Sequence, residues 1–143
     1  MATIRALIAG VSNYSALNQP NLPFCINDIY AINTALIEGL KVDPANITMC
    51  GVTGCVLGTD LLAALQQLSI VSKEDDTLLI YFSGHGSTIS DNHYLVLSDT
   101  LFKTQELVTY LDKVPARIKV LFLDCCMASM ITEPRYWKRR KQT

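Results

Sequence analysis

What the chain lacks narrows it first. Its 143 residues hold no run of 18 apolar residues, and the uncharged segment 44–59 is broken by Gly, Asn and Thr, so a membrane-spanning helix is excluded. Charge is sparse, 17% of residues against 50% hydrophobic, a balance that excludes disorder and supplies a core. The length suits one domain and is too short for two. The N-terminus Met1-Ala-Thr-Ile-Arg5 lacks the layout of a secretory leader, so a cytoplasmic protein is expected. The five cysteines, at 25, 50, 55, 125 and 126, are an odd number, which argues for thiols over a disulfide framework. Cys50 and Cys55 with His93 have no second Cys pair at ligand spacing. No zinc is expected there, and the two read as small apolar residues at a strand end and in a loop.

The net charge of −1 conceals a division. Arg135, Lys138, Arg139, Arg140 and Lys141 are five of the twelve basic residues. Residues 1–134 hold seven basic against thirteen acidic groups, a body at −6 carrying a tail at +5. An acidic body is not that of a nucleic-acid binder, so no nucleic acid and no membrane partner is expected.

Four apolar segments, 3–11, 47–52, 77–83 and 118–123, read as strands, with a short strand-like piece at 94–97. Between them, helices are read over 26–40, from an N-cap at Thr59 through Leu68, and over 104–111 before Pro115. Residues 12–23 and those after Gly86 read as polar loops, and 73–76 as a charged turn. Strands that are apolar throughout and alternate with helices mean a sheet covered on both faces. The expected fold is a three-layer α/β/α sandwich with a mostly parallel sheet.

In such sheets ligands collect beyond the carboxyl ends of the strands. The third strand ends in Ser83-Gly84-His85-Gly86 and the fourth in Asp124-Cys125-Cys126. If these strands are neighbours, His85 and Cys126 emerge side by side. A thiol nucleophile needs that imidazole, because free cysteine is only a few per cent thiolate at neutral pH. Other hydrolase chemistries fail on spacing. Ser83 has Tyr81 where a nucleophile elbow needs its first glycine, and no Arg stands six positions after Cys126 for a cysteine phosphatase.

Tyr81-Phe-Ser-Gly-His-Gly86, followed by Leu121-Phe-Leu-Asp-Cys-Cys126, resembles the large-subunit region of the caspase–metacaspase superfamily of cysteine peptidases. Leu7-Ile-Ala-Gly-Val-Ser-Asn-Tyr14 and the Cys25-Ile-Asn-Asp28 helix start agree with it, over about residues 3–128 in order. The likeness is closer to metacaspases and bacterial caspase-like peptidases than to animal caspases. It implies His85 as general base and Cys126 as nucleophile, with the amides of Gly86 and Cys126 forming the oxyanion hole. It further implies Asp28, Asp124, Cys25 and Ser83 as the S1 pocket, hence cleavage of a protein or peptide substrate after Arg or Lys. Asp28 has a second reading, as the cap of a helix over 29–40.

The departures shape the remaining expectations. Met127-Ala128-Ser129 replaces the family's His-Ser-Gly after the nucleophile, which makes an inactive interaction or scaffold module the alternative function. Between His85 and Asp124 the acids Asp91, Asp99, Glu106 and Asp112 are widely spread, so no calcium and no other cofactor is expected. Residues 1–131 are read as the catalytic large-subunit domain and 132–143 as a basic tail or inter-subunit linker. A small-subunit fragment completing the sheet, or a regulatory protein, is the expected partner.

Overall fold

The computed structural model describes residues 2–125. In chain order its elements are β1 (Ile4–Gly10), α1 (Phe24–Gly39), β2 (Ile47–Cys50), α2 (Gly58–Val71) and β3 (Thr77–Gly84). There follow β4 (Gly86–Ile89), β5 (Asn92–Val96), β6 (Leu101–Lys103), α3 (Thr104–Lys113) and β7 (Ile118–Cys125).

The apolar strands assemble as expected into a parallel sheet, ordered β2-β1-β3-β7. Alternation along each strand feeds two cores. On one face Ala6, Ile8 and Tyr81 pack with Ile29 and Leu36 of α1. On the other, Leu7, Leu78, Ile80 and Phe82 share a core with Leu65 of α2 and with Leu107 and Leu111 of α3. Each fully buried Leu or Ile contributes roughly 1.5–3 kcal/mol, and these two layers hold the strand ends in place. The three-layer sandwich read from the sequence stands.

Local details differ. Helix α1 starts at Phe24 after Pro23, which places Asp28 in its second turn, where it caps nothing. Helix α2 is capped at Leu57, not Thr59: the Asp60 carboxylate accepts the Leu57 amide at 2.9 Å and Asp99 accepts that of Gly58 at 2.9 Å. The segment after Gly86 is no loop but an antiparallel sheet, β4-β5-β6. Ile89 pairs with Asn92 across Ser90 and Asp91, whose φ values of 50° and 66° make a two-residue turn of the I′ kind. Strand β7 runs two residues beyond its expected end, so Asp124 and Cys125 lie within it.

At the amino end of the sheet one carboxylate ties the strands together. Asp76 is 1% exposed. Its side chain accepts the Arg5 Nε at 2.9 Å, the Lys73 amide at 2.8 Å and the Thr3 amide at 3.3 Å. Its carbonyl accepts the amides of Arg117, at 2.9 Å, and Ile118. Arg5 also reaches Asn46, beside β2, at 3.2 Å. The residues read as a charged turn thus include a buried charge joining β1, β3 and β7.

No helix among the described residues is long and apolar enough to cross a membrane. Cys126 and the basic tail 132–143 lie outside the described residues.

Candidate active site

The site is built from the carboxyl ends of β1, β3 and β7 and the start of α1. β3 and β7 are neighbours in parallel register, with Ser83 opposite Asp124 and Gly84 opposite Cys125. His85 is the next residue on one strand. In the sequence Cys126 follows Cys125 and lies outside the described residues.

His85 is held at three points. Its amide donates to the Tyr14 hydroxyl at 2.7 Å, its carbonyl accepts the Val96 amide at 3.0 Å, and its ring Nε2 lies 2.7 Å from the Pro20 carbonyl oxygen. A carbonyl can only accept, so Nε2 is assigned the hydrogen and Nδ1 keeps the basic lone pair. The Tyr14 ring stands against the imidazole at 4.5 Å between centroids.

The segment 12–23 owes its order to Tyr14, which is fully buried. The Tyr14 amide donates to Asn21 Oδ1 at 2.7 Å, and its carbonyl accepts the amides of Leu17 and Gln19. The Ser12 and Asn13 amides both donate to the Gly54 carbonyl. This stapled loop delivers the Pro20 carbonyl to His85. Neither Tyr14 nor Pro20 was assigned a role from sequence; a lone aromatic in a polar segment was the available signal.

The motif glycines are required by space. Neither Gly84 nor Gly86 has a positive φ. A Cβ on Gly84 would stand 2.5 Å from the Tyr14 hydroxyl, and one on Gly86 would stand 3.1 Å from Cys125 Cβ and 2.9 Å from His93 Nε2. His93 sits behind this turn with Nδ1 2.6 Å from Thr104 Oγ1 and Nε2 buried without a hydrogen-bond partner; burial pushes its pKa below the usual value. Gly86→Ala is therefore expected to destabilise the fold by about 1–3 kcal/mol, read as a lowered Tm. Gly39→Ala, where no atom lies within 4 Å, is the control that leaves Tm unchanged or raises it.

Beside His85, on the face covered by α1, lie the four residues expected to line a pocket. Ser83 Oγ is 2.8 Å from Asp28 Oδ2 and 3.2 Å from Cys25 Sγ. Since a carboxylate only accepts, the hydroxyl donates to Asp28. Asp124 Oδ2 accepts the Tyr81 hydroxyl at 3.1 Å. Burial first, then Asp124, then the charge of Asp28, with Ser83 opposing, push the Tyr81 phenol far above its ordinary pKa. Both carboxylates therefore act on one phenol. Tyr81 is a member of the cluster that was not singled out from sequence.

The remaining thiols are placed differently. Among the described residues no disulfide links Cys25, Cys50, Cys55 or Cys125. Cys50 closes β2 and Cys55 lies in the loop after it, as read from sequence. Burial and then the charge of Asp60 raise the Cys50 pKa to about 11, so it is no thiolate at neutral pH.

A family model for the caspase domain matches residues 3–142. The chain belongs to the caspase-domain family. Metacaspase III c of Phaeodactylum tricornutum is 33% identical over 97 residues, covering 63% of this chain and 27% of that protein. The chain thus spans about a quarter of the length of that relative. The family match agrees with the resemblance read in the sequence.

Proposed function

We propose that the chain is the large-subunit part of a cysteine endopeptidase that cleaves after arginine or lysine. One observation carries this reading: the His85 ring is pinned through Nε2 to the Pro20 carbonyl, at the end of the strand paired with the one that leads into Cys126. In this reading Nδ1 accepts the Cys126 thiol proton and the thiolate attacks the scissile carbonyl carbon. The amides of Gly86 and Cys126 hold the resulting oxyanion. The C–N bond breaks as the imidazolium returns the proton to the leaving amine. Water, deprotonated by His85, then hydrolyses the thioester. Asp28 and Asp124, flanked by Ser83 and Cys25, would bind the basic side chain and repel an acidic one.

A partner belongs to the same proposal. β7 closes the described parallel sheet, and Ile118 and Phe122 on it are 51% and 53% exposed. Further strands from a small-subunit fragment would pair with that edge and cover those side chains.

The test uses fluorogenic peptides with Arg, Lys or Asp before the bond, with and without iodoacetamide. Turnover of the Arg and Lys peptides, lost on alkylation and in Cys126→Ala, is the expected result. No turnover, together with no preferential alkylation of Cys126, would instead support the scaffold reading favoured by Met127-Ala128-Ser129.

A further inference from the structure

Tyr81 and Ser83 stand two residues apart on β3 and so point to one face of the sheet. Each sends its hydroxyl to the Oδ2 atom of a different carboxylate, Tyr81 to Asp124 at 3.1 Å and Ser83 to Asp28 at 2.8 Å. A neutral donor orients a carboxylate without cancelling its charge, and it leaves the second oxygen of each for a ligand. Among the described residues neither Asp28 nor Asp124 is ion-paired; the ion pair there is Arg5 with Asp76, at the opposite end of the sheet. Each acid, Asp28 half-buried and Asp124 exposed, is thus oriented by one hydroxyl and has no ion-pair partner among the described residues.

We propose that Tyr81 is a specificity-determining residue of this pocket, positioning Asp124 so that the two carboxylates form a rigid fork that prefers the planar guanidinium of arginine to the ammonium of lysine. This rests on the endopeptidase reading above. A guanidinium offers donors in a fixed plane to two acceptors at once, whereas an ammonium is a compact charge satisfied by one carboxylate and water. Loss of the Tyr81 hydroxyl frees Asp124 to rotate, which removes the second prong and leaves the first. The cost falls on substrate binding and falls harder on arginine. Tyr81 acts through Asp124, as a positioning residue.

The experiment measures kcat and KM on matched Arg and Lys peptides for wild type, Tyr81→Phe, Asp124→Asn and the double variant. Expected for Tyr81→Phe is a KM for the Arg peptide raised about ten-fold, kcat within two-fold, and a reduced Arg-over-Lys preference. In the Asp124→Asn background the same substitution adds nothing to KM. A loss confined to kcat, an equal loss on both peptides, or an undiminished effect in the Asp124→Asn background overturns the proposal. Tyr81 is also a core residue, 8% exposed, so Tm is recorded for each variant. Should Tyr81→Phe not fold, Asp124→Asn alone must lower the Arg-over-Lys ratio, or the proposal fails. Wild type that cleaves neither peptide, and binds benzamidine no better than benzylamine by amide shifts at residues 81–85, defeats the endopeptidase reading and this one with it. Wild type that cleaves arginyl peptides while Tyr81→Phe matches it in every constant defeats this one alone.

Discussion

Replacing His85 by alanine is expected, on the endopeptidase reading, to lower cleavage of an arginyl peptide by about three orders of magnitude while the fold persists. A positioned general base contributes roughly 10²–10⁴-fold, and a thiol left without one is almost entirely protonated at neutral pH. The backbone explains why the fold survives. The His85 amide remains on the Tyr14 hydroxyl and its carbonyl on the Val96 amide, since neither bond uses the imidazole. What disappears is the ring contact with Tyr14 and the bond to the Pro20 carbonyl, together about 1 kcal/mol of stability. Progress curves and a melting curve on the same preparation check both halves. Activity retained within ten-fold of wild type would assign the base elsewhere. Tyr14→Phe is the companion variant: it keeps the imidazole and removes the acceptor of its amide, so a partial loss of kcat is expected, not abolition.

The largest effect on stability is expected at Asp76, at the far end of the sheet from the chemistry. Asp76→Ala leaves the Arg5 guanidinium, 17% exposed, without its partner, and strips the acceptor from the amides of Thr3 and Lys73. Breaking a buried pair of this kind costs about 3–5 kcal/mol, a large part of the stability of an ordinary domain. The ionisation of Asp76 gives the sign with pH. Burial raises its pKa, but the Lys73 amide, the Arg5 hydrogen bond, the Thr3 amide and the Arg5 charge outweigh it and hold the folded value below 3.8. A carboxyl with a depressed folded pKa contributes stability fully above its unfolded value and loses it as pH falls through the folded one. Urea midpoints of wild type and Asp76→Asn should therefore differ most at neutral pH, and the gap should narrow as pH falls below the ordinary carboxylate range. A gap that stays constant throughout that fall would mean that the carboxylate charge contributes nothing.

These two residues also mark what was legible in the sequence. His85 stood out because it follows an apolar strand and lies between glycines. The parallel sheet was legible because IRALIAG, TLLIYFSG and IKVLFLDC carry apolar residues on both faces. Asp76 was hidden among Lys73, Glu74 and Asp75, since residue type in a charged turn does not tell which carboxylate turns inward. The β4–β5 hairpin was missed because its turn is Ser90-Asp91, without the Asn-Gly or Asp-Gly that announces positive φ at both positions. The role of Tyr14 needed the chain to close on itself, the tyrosine and the amide it accepts being 71 positions apart. Asp28 was legible as an acid near a helix start, but only the packing of α1 on β3 distinguished a cap from a partner of Ser83.

The junction at His85 has a consequence for how this chain can vary in length. β3 ends at Gly84 and β4 begins at Gly86, so a single residue joins the parallel sheet to the antiparallel one. No slack exists there to absorb an inserted or deleted residue. One extra residue would rotate the imidazole to the opposite side and pull it off the Pro20 carbonyl. The Ser90-Asp91 tip, exposed at the far end of the hairpin, has no such constraint. A tag or reporter peptide inserted at that tip would leave the spacing around His85 intact.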